Sequence, residues 1–222
     1  MNDAISSPLL QGLPSEDVER LLSAARRRRF SKGEVVFHEG DLGDSLHLIE
    51  KGRFASRITT AEGETTTLSV LGPGQVFGEL ALVRADFHRM ATIVALEPAE
   101  TLAVERGEFD RLREAHPEVA NVLLRIVADT VERLAQRVSE AFYVPAEIRV
   151  LRQLLRLADI YADEGPEAIV PITQEDLAGM AGASRGTVNR VLRQEEGRGT
   201  ISLSRARVRL IDRERLEKRA LS

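Results

Sequence analysis

The chain has 222 residues, 43% of them hydrophobic and 30% charged, with a formal net charge of −4. That is the composition expected of a soluble globular protein with room for two modest domains. The lack of cysteine excludes disulfides, a cysteine nucleophile and a thiolate-held iron–sulfur cluster. With no Trp and two Tyr, an aromatic platform for single-stranded nucleic acid is disfavoured. No apolar run approaches the roughly 20 residues of a membrane span, and the N-terminus lacks the basic start and apolar centre of a signal peptide. The expected location is cytoplasmic.

Residues 9–26 predict an amphipathic helix interrupted early by Pro14, with Val18, Leu21, Leu22 and Ala25 as its inward stripe. The run Arg26–Arg29 reads as the solvated end of that helix. From Phe30 to Glu105 the texture changes to short alternating or apolar runs at 34–37, 45–49, 55–58, 65–70, 91–95 and 101–104. Gly33, Gly40, Gly43, Gly52, Gly63, Gly72 and Gly74 punctuate them. Many short strands at this spacing argue for a small antiparallel barrel or roll. Within it, Phe77-Gly78-Glu79-Leu80-Ala81-Leu82 is followed, ten residues after Glu79, by Arg89 and Met90. Gly78 would let backbone N–H groups approach a phosphate, Glu79 could accept from a ribose hydroxyl, and Arg89 could fork onto a phosphate. A structural Glu79–Arg89 ion pair explains the same residues.

After Pro117 a helix about 39 Å long is predicted, at 1.5 Å per residue, ending near Phe142. Leu124, Val127, Val131, Leu134, Val138 and Ala141 recur at alternating spacings of three and four, the pattern of a coiled-coil seam. They are the candidate dimer interface. Pro145 ends that helix. Ile148, Val150, Leu151, Leu154, Leu155, Leu157 and Ala158 mark the next one, and Tyr161–Glu167 reads as a polar loop.

Thr173–Glu195 carries two short helices joined by a tight turn. Thr173 caps the first with Asp176 three residues on, Leu177, Ala178 and Ala181 give its apolar face, and Gly182 stops it. Ser184 caps the second, whose Val188, Val191 and Leu192 point inward while Arg185, Thr187, Asn189, Arg190 and Arg193 point largely outward. This is a helix-turn-helix signature. Ile201–Leu203 and Arg207–Ile211 alternate as two strands after it, which makes a wing, and Arg213–Leu221 reads as a closing helix. From Pro171 to the end there are 11 Lys+Arg against 7 Asp+Glu, while the rest of the chain has 20 against 28. Positive charge gathered in one module of an acidic protein is an electrostatic footprint for DNA.

In this order, the glycine-punctuated roll, FGELAL followed by Arg89, the long helix and ASRGTVNRVL resemble the cyclic-AMP receptor protein (CRP/FNR) family over nearly the whole chain. The resemblance implies an α+β fold: a cyclic-nucleotide-binding β-roll sensor at 1–116, a dimerisation helix at 117–143 and a winged helix-turn-helix DNA-binding domain at 144–222. It implies a homodimeric bacterial transcription regulator that reads a palindromic double-stranded operator and works with RNA polymerase. Arg185, Thr187 and Arg190 match positions that meet DNA in the family, and Thr173, Gln174, Ser184, Asn189 and Arg193 join them as candidates. The half-sites should lie one helical turn apart, about 34 Å.

The effector positions implied by the resemblance are Gly78, Glu79, Leu80, Arg89, Met90, Leu134 and Ala135, with cAMP or another cyclic nucleotide as the candidate ligand. Three departures stand out. The cAMP-responsive members follow the Arg with Ser or Thr, where this chain has Met90. Their hydroxyl or amide side chains on the long helix align with Leu134 and Ala135. On the recognition helix, Gly186 replaces a Glu that reads cytosine in many members. A regulator that binds DNA without an effector is therefore the alternative. His38, His47, His88 and His116 are the candidates for a haem-sensing variant, each a lone histidine. The sequence has no Gly-x-Ser-x-Gly elbow, no phosphate loop and no metal-ligand spacing, so an enzyme is not expected.

Overall fold

A computed structural model of the chain describes residues 15–59, 63, 65–83, 86–117, 120–162 and 168–221. The predicted features at 9–14 and 163–167 lie outside the described residues. The chain forms two compact units, one from residues through Ile58 with Leu71–Leu134, the other from Thr59–Val70 with Ala135–Ser222.

The elements run α1 (Ser15–Ser23), β1 (Arg26–Phe30), β2 (Val35–Phe37), β3 (Ser45–Lys51), β4 (Phe54–Thr59), β5 (Thr65–Leu71), β6 (Val76–Phe77), α2 (Leu80–Val83), β7 (Thr92–Ala95), β8 (Ala99–Glu105) and α3 (Arg106–Ala115). Two four-stranded sheets result, in the orders β1-β8-β3-β6 and β2-β7-β4-β5. Strand β3 explains how the roll is filled. Successive side chains leave opposite faces of a strand, so Ile49 joins Phe30, Phe54, Phe77, Ile93, Ala95 and Ala99 in a core drawn from both sheets. Leu46 and Leu48, on the other face, pack with Leu102, Val104, Leu82, Phe109 and Ile126 under the helices. Both faces of β3 are covered, so Leu46, His47, Leu48 and Ile49 are buried in succession rather than alternately.

The Arg26–Arg29 run is not a helix end. It is strand β1, paired antiparallel with β8 from Arg26 opposite Ala103 to Phe30 opposite Ala99. The strand is held by carboxylates far away in sequence. Arg27 forks onto Glu50 at 2.7 and 2.8 Å, Arg29 lies 3.4 Å from Glu100 and Arg26 lies 3.6 Å from Glu105. Strand β6 and helices α2 and α3 were not anticipated either.

Helix α4 (Ala120–Tyr143) has 24 residues, about 36 Å. Ile126 is buried against the roll, whereas Leu124, Val131, Leu134 and Val138 are 54–67% exposed. Ala141 is also exposed and Val127 is half-buried, so five of the six predicted seam positions form an uncovered apolar stripe.

In the second unit, α5 (Ala146–Ile160), β9 (Ile169–Val170), α6 (Gln174–Ala181), α7 (Arg185–Gly197), β10 (Ile201–Ser204), β11 (Arg207–Leu210) and α8 (Arg213–Ala220) follow. Val150, Leu151, Leu154, Leu157 and Ala158 of α5 are buried, as are Leu177, Val188, Leu192, Ile201 and Leu216. Strand β9 adds a third strand to the wing, in the order β10-β11-β9. Tyr161, expected in a polar loop, is 3% exposed and caps α5. Among the described residues no helix is long and apolar enough to cross a membrane.

Candidate functional site

The helix-turn-helix is built by local signals. The Thr173 hydroxyl accepts the Asp176 N–H at 3.0 Å and the Ser184 hydroxyl accepts that of Thr187 at 3.1 Å, so each helix starts on a satisfied cap. Gly182 ends α6 in the left-handed conformation, φ 57°, where other residues are disfavoured. Val188, Val191 and Leu192 hold α7 in the core. Its outer face then presents Arg185, Asn189, Arg190 and Arg193, all exposed. Thr187 is half-buried, and its hydroxyl lies 3.0 Å from that of Ser184. Gln174 Nε2 lies 3.5 Å from Asn189 Oδ1, which places the two side chains on one face.

Arg185 and Arg193 line a cleft of about 540 Å³ together with Thr173, Gln174 and the β10–β11 turn. The turn adds Arg205 and Arg207, both exposed, which sequence reasoning did not single out. Their signal was present: two cations flanking the tip of a predicted hairpin.

Glu195 at the rear of α7 was also missed. It is 1% exposed, and Arg198 (2.8 Å), Arg219 (2.7 Å) and the Thr200 hydroxyl (2.9 Å) all donate to it. This buried carboxylate ties the recognition helix to the wing and to α8.

In the roll, Arg89 is 4% exposed. Its Nη1 donates to the carbonyls of Ser45 (2.8 Å) and Gly78 (3.2 Å), and its Nη2 to Asp44 (3.2 Å) and the Ser45 hydroxyl (3.1 Å). The guanidinium also lies over the Phe37 ring, 4.0 Å from its centroid. Gly78 is needed for this approach: a Cβ there would meet Nη1 at 2.5 Å and the Ser45 carbonyl at 2.8 Å, on a backbone with φ 79°. The carboxylate that Arg89 meets is thus Asp44, not the Glu79 of the expected pair. Burial raises the Glu79 pKa, opposed by a backbone hydrogen bond, Arg133 and Arg89. Burial lowers that of Arg89, with Asp44 opposing.

The fit of an anionic effector rests on one atom. Arg89 Nε is buried and has no hydrogen-bond partner among the described residues, a donor that a phosphate oxygen would satisfy. The other candidates are less concentrated. Leu80 is half-buried, Met90 is 68% exposed, and Leu134 and Ala135 lie exposed on α4. His47 is buried, its ring stacked on Phe77 at 4.9 Å and its Nδ1 3.1 Å from the Thr101 hydroxyl. His88 is exposed and forms a bridge with Leu42.

Residues 27–116 match the cyclic nucleotide-binding domain model and residues 148–219 the Crp-like helix-turn-helix domain model. The chain is 34% identical over 197 residues to the cyclic AMP receptor protein of Thermus thermophilus, covering 89% of each. The chain belongs to the CRP/FNR family of transcription regulators. A CRP-like cAMP-activated global transcriptional regulator of Mycobacterium tuberculosis is 29% identical over 215 residues, 96% of each chain. The crystal structure of the T. thermophilus catabolite activator protein superposes with a TM-score of 0.55 at 33% identity, over 97% of this chain and 99% of that one. As in other CRP/FNR regulators, a cyclic-nucleotide-binding fold precedes a DNA-binding helix-turn-helix.

Proposed function

We propose that this CRP/FNR regulator is a homodimer that reads a palindromic operator with α7 and acts through RNA polymerase in the cytoplasm. The observation that carries the reading is the outer face of α7, where three arginines and Asn189 stand exposed on a helix fixed from behind by a buried core. Arg185 and Arg190 are the base-reading candidates, because a guanidinium fork matches a guanine edge. Thr173, Gln174, Ser184, Arg193, Arg205 and Arg207 are the candidates for phosphate contact. The apolar stripe of α4 supports the dimer, since a second copy of the same helix is the partner that a heptad seam fits.

The test is fluorescence anisotropy with duplex DNA across a salt series. Binding that weakens steeply with salt, and is lost in Leu134→Asp as the protein becomes monomeric, supports the reading. A wild type that ignores duplex DNA both alone and with cAMP or cGMP added would refute it.

For the roll, the buried free donor of Arg89 supports an anionic effector, a cyclic nucleotide by family. A second reading, DNA binding with no effector, is favoured by the four hydrogen bonds that Arg89 already makes inside the protein. Calorimetric titration with cAMP and then cGMP separates the two. Heat that disappears in Arg89→Ala supports the sensor, and silence from a preparation that binds its operator supports the second reading.

A further inference from the structure

Each arginine on the outer face of α7 faces an acid. Arg185 Nη1 lies 3.8 Å from Glu175, Arg193 Nη1 lies 2.8 Å from Glu196, and Arg190 Nη2 donates to Glu147 Oε1 at 2.8 Å. The first two acids lie on the helix-turn-helix itself. Glu147 comes from the first turn of α5, 43 residues away in sequence, on a helix whose Val150 and Leu151 are fully buried. Its backbone is therefore fixed, and a helix N-terminus favours its negative charge. The hydrogen bond from Arg190 holds its pKa below the usual carboxylate range.

We propose that Glu147 is a specificity-determining residue that acts through Arg190, an inference resting on the DNA-reading role given above to α7. A guanidinium carries five N–H donors in a fixed fork. With one nitrogen held by a carboxylate, the others can still meet the neutral acceptors of a guanine edge. A phosphate at the same place would bring a second anion beside Glu147. Phosphate contact by Arg190 thus exchanges one anionic partner for another, while base contact keeps the first and adds a second. Glu147 weakens binding to DNA in general and leaves binding to the right base pair nearly intact.

The full-length protein tests this with two duplexes, one selected by the wild type from a random pool and one of random sequence. Removing the carboxylate in Glu147→Gln should tighten random-sequence binding about threefold, the scale of a half-exposed ion pair. Binding to the selected duplex should barely change. The salt dependence on random DNA should steepen by about one phosphate contact. In an Arg190→Ala background the same substitution should do nothing. Glu147→Asp keeps the charge but withdraws it from Arg190, and should lose the discrimination as Glu147→Gln does.

Three results would overturn the proposal: equal tightening on both duplexes, an effect that survives in Arg190→Ala, or full discrimination in Glu147→Asp. Each would reveal a general field effect of the acid. A wild type that binds neither duplex would instead refute the DNA-reading role itself.

Discussion

Arg149 Nη2 donates to the carbonyl of Gly182 across 2.6 Å, and the same guanidinium reaches the carbonyls of Ala181 (Nε, 2.9 Å) and Val144 (Nη1, 2.8 Å). One side chain of α5 therefore closes the open carbonyl ends of α4 and α6 together. Helix C-termini leave such acceptors unpaired unless something reaches them. Arg149→Lys keeps the charge but has no fork to span both ends. Stability should fall by about 2–3 kcal/mol in urea unfolding, and operator binding should weaken with no change in dimer mass by light scattering. Unchanged operator affinity would show that α6 holds its place without the link.

The buried carboxylate behind the recognition helix should be costly to remove. In Glu195→Ala, Arg198, Arg219 and the Thr200 hydroxyl all lose their shared acceptor. The freed guanidiniums of Arg198 and Arg219 are 39% and 40% exposed and can turn to water, so calorimetric melting should show a loss of about 1–3 kcal/mol. A loss under about 1 kcal/mol would mean that water replaces the carboxylate.

His47 makes the roll acid-sensitive. Burial, reinforced by Arg89 and Arg28, pushes its pKa down to about 3, whereas an unfolded histidine titrates near 6.5. Between those values the unfolded chain binds the extra proton, so stability rises with pH there. The contribution is complete above pH 6.5 and is lost on acidification toward pH 3, by at most about 4–5 kcal/mol. Chemical unfolding from pH 7 to 4 should show a shallower slope in His47→Asn than in the wild type. Parallel slopes would rule out His47 as the group responsible.

Gly186 leaves space for a side chain. A Cβ there would meet the Ser184 hydroxyl at 3.7 Å, an ordinary contact. Gly186→Ala should stabilise α7 by up to about 1 kcal/mol. Gly186→Glu should add a favourable charge at a helix N-terminus and narrow the base preference at one position of each half-site. Selection from random duplexes by the two variants would show this, and identical selected sites would mean that position 186 does not face a base.

The helix-turn-helix was legible because its signals are short-range: a cap and its N–H three residues apart, a glycine stop, apolar positions at helical spacing. The roll was legible as a class for a similar reason, since glycine turns bracket its strands. Strand β1 was hidden because four arginines carry no alternation, and its partners Glu50, Glu100 and Glu105 are far off in sequence. The Arg89 site was half visible. The glycine and the arginine stand in one segment, but Asp44 and Ser45 arrive from β3 and the turn before it, about 45 residues upstream. Glu147 was missed for the same reason, because a tertiary pair leaves no mark at helical spacing.

Among the described residues strand β1 ends its sheet, and an outermost strand offers unpaired backbone groups to any other strand that approaches. Two copies meeting there would bring eight guanidinium groups together, more than the neighbouring glutamates of each copy neutralise by direct pairing. Such a concentration of like charge should disfavour edge-to-edge pairing of copies at this border, and with it fibrous assembly.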